Sequence, residues 1–282
     1  MSITQIGVIG AGTMGNGIAQ VCASAGIAVK MIDVSDAAVA RGIETLSGSL
    51  ERLVRKDKLT AAEKDAAVAR VAGSTDYGAL KGVDLVIEAA TENLDLKLRI
   101  LRQIDGIVGP ATLIATNTSS ISITQLAAIL ARPERFIGMH FFNPVPVMAL
   151  LELIRGLQTS DETHATALAF AQAIGKTAIT VRNSPGFVVN RILCPMINEA
   201  IFVLQEGLAT AEEIDVGMRL GCNHPIGPLA LADLVGLDTL LAVMEVFYEG
   251  FNDPKYRPPT LLKEMVTAGR YGRKTGQGFY RY

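Results

Sequence analysis

Three histidines are the only side chains here whose ordinary pKa lies near neutral pH, and their settings differ. His164 lies in Ser160-Asp161-Glu162-Thr163-His164, the polar start of an amphipathic helix, and reads as a solvated surface residue. His224, in Asn223-His224-Pro225-Ile226-Gly227-Pro228, reads as a structural residue capping a turn. His140 falls at the C-terminal end of a strand signal over residues 136–142, where α/β sheets place their ligands. Pro144 and Pro146 stiffen the backbone that follows it. Two roles are open to such a histidine, a general base or a satisfied core residue. Glu152 sits in Leu150-Leu151-Glu152-Leu153-Ile154, an apolar strand in which a carboxylate needs a partner or an elevated pKa. It either pairs with an arginine such as Arg155 or Arg191, or orients His140 and stabilises its imidazolium.

A second group of residues points to a nucleotide. Gly10-Ala11-Gly12-Thr13-Met14-Gly15 follows the apolar segment Gln5–Ile9 and opens a helical pattern that runs to about Ala25. In such a loop Gly10 permits the tight turn and Gly12 lets the backbone approach a pyrophosphate. Gly15 lets helix and strand pack closely. The helix N-terminus then offers unpaired N–H groups to phosphate. Asp33 ends the next strand, 18 residues after Gly15. A carboxylate there bonds a ribose 2′-hydroxyl and repels a 2′-phosphate, and Val34 adds no cation, so NAD is expected rather than NADP.

Further polar residues gather at strand ends. Asn117-Thr118-Ser119-Ser120-Ile121-Ser122 lies between a strand and a helix, and Ser122-x-x-Gln125 forms a capping box. That leaves Asn117 and Ser119 free at the end of the strand. Glu92 and Lys97 similarly follow the strand signal of residues 83–89, where the bland expectation is a solvated helix start.

The elements needed to position these residues can be read along the chain. Strand signals at 5–9, 29–33, 83–89, 112–116, 136–142, 150–154 and 178–181 alternate with helical patterns, which argues a doubly wound, Rossmann-like α/β domain. Two helical patterns, 36–56 and 61–71, interrupt the alternation and are expected to form a helical-hairpin insertion, a protruding arm rather than a core layer. Its stretch Glu51–Lys58 carries four basic and two acidic residues. Beyond Asn183-Ser184-Pro185-Gly186 the patterns turn helical, over 187–206, from a Thr210-x-x-Glu213 capping box to Leu220, and over 237–250. Two domains are therefore expected, an NAD-binding domain over 1–183 and a smaller all-helical domain over 184–282.

Composition narrows the class. At 282 residues, 49% hydrophobic and 19% charged, the chain has the mix of a globular protein with a full core. With 26 Lys+Arg against 28 Asp+Glu it lacks the basic excess of a general nucleic-acid binder. Cys22, Cys194 and Cys222 show no metal spacing and form no disulfide framework, so no metal is expected and a reducing, cytoplasmic setting fits best. No apolar run approaches the ~20 residues of a membrane span, and the N-terminus does not resemble a signal peptide.

Taken together, several segments resemble the L-3-hydroxyacyl-CoA dehydrogenase family. They are Gly10–Gly15, Glu88-Ala89-Ala90, Ala115–Ser120, Gly138-Met139-His140-Phe141-Phe142-Asn143-Pro144, Pro185–Arg191, Gly227-Pro228 and Gly272–Tyr280. The match runs through the whole chain in order and is most similar to the short bacterial form acting on 3-hydroxybutyryl-CoA. The resemblance implies His140 as general base, held by Glu152, with Ser119 and Asn190 contacting the substrate. It implies that Glu92, Lys97, Ser119, Asn143 and Lys274 lie near the nicotinamide half of NAD, and that Ser49 and Lys56 meet the CoA moiety of 3-hydroxybutyryl-CoA or acetoacetyl-CoA. It also implies a homodimer formed through the helical domain. Two rival expectations are a lysine-type dehydrogenase of free 3-hydroxyacids and a non-catalytic, crystallin-like NAD-binding protein.

Overall fold

The computed structural model describes residues 3–282, which divide into two compact units at Asn183/Ser184. The first unit contains strands β1 (Gln5–Ile9), β2 (Ala28–Ile32), β3 (Val71–Ser74), β4 (Leu85–Glu88), β5 (Leu113–Thr116), β6 (Phe136–Phe141), β7 (Leu150–Arg155) and β8 (Thr177–Arg182). Its helices are α1 (Thr13–Ser24), α2 (Asp36–Val54), α3 (Ala61–Ala69), α4 (Leu94–Asp105), α5 (Ile123–Ala127) and α6 (Asp161–Ala173). The strands form one sheet in the order β3-β2-β1-β4-β5-β6-β7-β8. All neighbours are parallel except β6 and β7, which run antiparallel. Central strands β4, β5 and β6 are buried along their whole length, as expected of strands covered on both faces. The strand order reverses between β1 and β4, and the glycine loop after β1 opens there.

Two sequence expectations change. The second helix of the hairpin stops at Ala69, and Val71-Ala72-Gly73-Ser74 is instead β3, an edge strand paired with β2. Four residues with no alternation and two exposed positions carry too weak a period to register as a strand. The α2–α3 hairpin is also not merely a protruding arm. It forms the crossover from β2 to β3, and Leu46, Leu50 and Ala67 belong to the same buried core as β1, β2 and α1. Its inner stripe therefore packs as a core layer, while Arg52, Arg55, Lys56 and Lys58 remain exposed.

The second unit is helical: α7 (Val189–Gln205), α8 (Ala211–Gly221), α9 (Pro228–Val235), α10 (Leu237–Phe251) and α11 (Thr260–Thr267). Helices α9 and α11 add to the three expected patterns; each is only eight residues long, below the length at which periodicity separates helix from other buried segments. Ile201, Leu229, Leu237, Met244, Phe247 and Leu262 form its own core. Thr210 and Glu213 make the expected capping box at α8. The motifs around Gly227 and Gly272–Tyr280 have a structural explanation within this unit. Asp215 accepts from the N–H groups of Leu229 and Ala230 and from the Tyr280 hydroxyl. Asp233 accepts from the N–H groups of Phe279 and Tyr280. A Cβ on Gly227 would fall 2.2 Å from Asp215 Cγ, and one on Gly278 1.9 Å from Asp233 Oδ1.

Candidate active site

The antiparallel pairing of β6 with β7 places His140 directly opposite Glu152, so the two side chains share one face of the sheet. His140 Nδ1 and Glu152 Oε2 are 2.7 Å apart, with Glu152 wholly buried and His140 nearly so. A carboxylate only accepts, so with Glu152 ionised the proton of this bond belongs to Nδ1, and a neutral ring then presents Nε2 as an acceptor. Ser119 Oγ stands 3.1 Å from that Nε2 and donates to it. The chain Ser119–His140–Glu152 thus aims an unprotonated ring nitrogen at the loop after β5 and sets a buried carboxylate behind the ring. Of the two pairings expected for Glu152, the histidine is the one formed; Arg155 pairs with Asp161, and Arg191 donates to Ser184 and lies over Phe251.

Ser119 is itself held. Glu92 accepts from the Ser119 N–H at 2.7 Å and from the Thr118 hydroxyl at 2.6 Å, which fixes the loop facing the histidine. Asn117 accepts from the Phe141 N–H at 2.9 Å, tying the end of β5 to the residue that follows His140. The Phe142 ring lies 4.6 Å from the imidazole.

Lys97 is not part of a solvated helix start. It is 1% exposed and ion-paired with Glu88, itself 0% exposed. Thr116 donates to Glu88 at 2.7 Å and accepts from Lys97 at 3.2 Å, while the other Glu88 oxygen accepts from the Ala90 N–H. Sequence reading gave Glu88 and Thr116 no role. The available signal was the one that singled out Glu152, a carboxylate in an apolar strand, Leu85-Val86-Ile87-Glu88.

The glycine loop has the geometry that a dinucleotide needs. Gly10 adopts φ +98°, and a Cβ there would meet Ala89 O at 2.7 Å. A Cβ on Gly15 would lie 1.7 Å from Gly10 O, so α1 can approach the turn only with glycine. Around Gly12 a Cβ would meet nothing within 4 Å, which leaves open the space a phosphate would enter. No side chain caps α1, so its first N–H groups are free of side-chain competitors. Asp33 accepts from the Ala11 N–H at 2.6 Å and the Val34 N–H at 2.7 Å, bracing this loop from the end of β2. These features fit NAD, for which Gly10, Ala11, Gly12, Thr13, Met14 and Gly15 would form the cradle, with Asp33 beside it.

The remaining expected residues are placed separately. Ser49 lies on α2, half-buried, and Lys56 is exposed just beyond its end. Asn143 is exposed on the link between β6 and β7. Asn190 lies in the first turn of α7, in the second unit. Lys274, also there, is ion-paired with Asp238 at 2.5 Å. His164 is half-buried, 2.8 Å from Thr180 Oγ1, and burial pushes its pKa down, with Arg155 acting in the same direction. Among the described residues no cluster of metal-ligating side chains occurs, and no helix is long and apolar enough to cross a membrane.

Residues 5–184 match the model of the 3-hydroxyacyl-CoA dehydrogenase NAD binding domain, and residues 186–282 match that of the C-terminal domain. A probable 3-hydroxybutyryl-CoA dehydrogenase of Bacillus subtilis is 51% identical over 282 residues, covering 100% of this chain and 98% of that protein. The 3-hydroxybutyryl-CoA dehydrogenase of Bradyrhizobium diazoefficiens is 49% identical, covering 99% of this chain and 96% of that protein. The crystal structure of (S)-3-hydroxybutyryl-CoA dehydrogenase from Ralstonia eutropha superposes with a TM-score of 0.98 at 68% identity, covering 100% of this chain and 99% of that one. The chain belongs to the 3-hydroxyacyl-CoA dehydrogenase family and is an NAD-dependent oxidoreductase.

Proposed function

We propose that the protein interconverts a short-chain 3-hydroxyacyl-CoA, 3-hydroxybutyryl-CoA first of all, and its 3-keto partner acetoacetyl-CoA. The observation that carries this reading is the Ser119–His140–Glu152 chain, with a half-buried serine and a buried His140–Glu152 pair, at the C-terminal end of the sheet. His140 Nε2 removes the 3-hydroxyl proton of the substrate, and in the reverse direction the imidazolium returns it. Glu152 holds the ring in the tautomer that leaves Nε2 free and stabilises the positive charge the ring acquires. Ser119, fixed by Glu92, donates to the reacting oxygen as carbonyl character develops, and Asn190 serves as a second donor. NAD, when bound, would supply the acceptor for the hydride that leaves C3 of the substrate, and NADH would return it in the reverse direction.

For the cofactor, Gly10–Gly15 and Asp33 hold the adenosine and pyrophosphate side, with Glu92, Lys97, Asn117, Ser119, Asn143 and Lys274 on the nicotinamide side. Lys97 acts there through Glu88 and Thr116, since its ammonium is buried against them. Ser49 and Lys56 receive the CoA moiety. Of the basic residues near Lys56, Arg55 is already engaged with Glu51. Lys56 is exposed and forms no ion pair among the described residues, a cation able to steer and bind CoA phosphates. A homodimer formed through residues 184–282 and a cytoplasmic setting complete the proposal. Exposed Ile192, Leu208, Val216 and Leu220 in that unit support the dimer.

The test is NADH oxidation with acetoacetyl-CoA, run beside free acetoacetate and beside NADPH. Fast loss of NADH with the CoA ester alone is expected. Turnover of the free acid alone would assign the chain to a lysine-type chemistry, and NADH binding without turnover would leave a binding protein.

A further inference from the structure

The mechanism leaves one buried cation without a task. Lys176 lies in the link between α6 and β8 and is 8% exposed. Its ammonium donates to two carbonyls of the β6–β7 link, Val145 O at 2.6 Å and Met148 O at 2.7 Å. Pro144 O in the same link accepts from the N–H groups of Val147 and Met148, which closes a tight turn. Thr177 N–H continues the attachment with a bond to Ala149 O. The clamp therefore holds the segment that joins the strand of His140 to the strand of Glu152 and that carries Asn143.

The same segment lies on the dinucleotide helix. Val145 is 2% exposed, and a Cβ on Gly17 of α1 would fall 2.9 Å from Val145 Cβ and 3.5 Å from Pro146 Cδ. Backbone thus meets the loop about one turn beyond the N-terminus of α1. A shift of residues 143–148 would move both Asn143 and the packing that sets the position of α1.

We propose that Lys176 is a positioning residue for NAD binding: its charged ammonium locks the 143–149 segment against α1 and thereby orders the nicotinamide side of the cofactor site. The inference rests on the reading above only for the placement of Asn143 beside the cofactor. Its electrostatics give the clamp a pH dependence. Burial pushes the Lys176 ammonium below the usual lysine range, with Cys22 on α1 acting in the opposite direction. Cys22, fully buried, is itself pushed far up by burial, with Lys176 acting against that, and the β6–β7 link contributes carbonyls. The ammonium is therefore lost, as pH rises, earlier than that of a surface lysine.

The test uses the full chain, with NADH binding followed by fluorescence and amide exchange measured at residues 143–149. Lys176→Met is expected to stay folded and bind NADH roughly tenfold more weakly at neutral pH, with faster exchange in the segment and an unchanged KM for acetoacetyl-CoA. The wild type is expected to lose NADH affinity on the alkaline side, and Lys176→Arg, whose guanidinium does not deprotonate, to keep it. Wild-type affinity and exchange in Lys176→Met would overturn the proposal, as would the same alkaline loss in wild type and Lys176→Arg. Should neither variant fold, the wild type alone decides. Protection of the Val147 and Met148 amides must then fall at alkaline pH while that of β6 holds, and no fall would overturn it. Because NADH binding is the readout, a wild type that binds NADH but ignores acetoacetyl-CoA counts against the proposed reaction and not against the clamp.

Discussion

His140 and Glu152 are useful together because neither is comfortable alone. A carboxylate at 0% exposure is costly unless bonded, and an imidazole bonded only to solvent would rotate and exchange tautomers. Their cross-strand pairing resolves both problems and leaves Nε2 directed at Ser119. Replacing His140 with Ala should lower turnover of acetoacetyl-CoA by about 10²–10⁴-fold with NADH affinity unchanged. Steady-state kinetics beside an NADH titration will check this, and retained turnover would place the base elsewhere. Glu152→Gln, which keeps the shape but not the charge, should also lower kcat, on the order of 10²-fold or more, without changing NADH affinity. Much of this site was legible in the sequence. A strand-end histidine and a carboxylate in an apolar strand are both anomalies that chemistry must explain. What remained hidden was partner choice. Glu88 carries the same anomaly as Glu152, yet its partner Lys97 comes from α4 and appears in sequence as an ordinary amphipathic-helix lysine.

Elements of ordinary length announced themselves through periodicity, and the exceptions have physical reasons. Strand β3, with a glycine and two exposed positions, lacks the apolar run that marks the equally short β4 and β5, and the α2 helix mixes a charged outer face with a narrow apolar stripe. That stripe decides whether the hairpin is an appendage or a core layer. Leu46→Ala should therefore destabilise the first unit by roughly 2–5 kcal/mol, measured by urea unfolding, whereas a surface appendage would lose far less. Capping gives a second element-scale prediction. The Thr210 N–H, and after it the Thr210 hydroxyl, bond Glu213 and hold its carboxyl below the usual carboxylate range. A depressed carboxyl pKa contributes stability that is present above the unfolded value and lost as pH falls through the folded one. Thr210→Ala should cost about 1 kcal/mol near neutral pH, and the Glu213 contribution, read as wild type against Glu213→Gln, should vanish on acidification. A difference that persisted in acid would show that the box acts through something other than the charged carboxylate.

At the scale of the whole chain, two units each bury their own core, and the three thiols report on them separately. Burial raises the Cys194 thiol to about 12 and the Cys22 thiol further, while Cys222 is exposed. A thiol reagent should accordingly modify Cys222 alone in the native protein and all three cysteines in denaturant, as counted by mass. Rapid native labelling of Cys22 would mean that α1 opens locally. Cofactor binding can be read at the same scale, because a ligand that binds only the folded state stabilises it. At a free concentration ~100 times its Kd, NADH should add about 2.7 kcal/mol to unfolding of the first unit. The gain should appear as exchange protection around Gly10–Gly15 and the start of α1, where the N–H groups carry no side-chain caps. NADPH at the same concentration should give little of it. Its added phosphate would meet the Asp33 carboxylate at the end of β2, and the next residue, Val34, is 93% exposed with no charge to offer. Equal stabilisation by the two cofactors would show that Asp33, occupied in bracing the Ala11 amide, does not select between them.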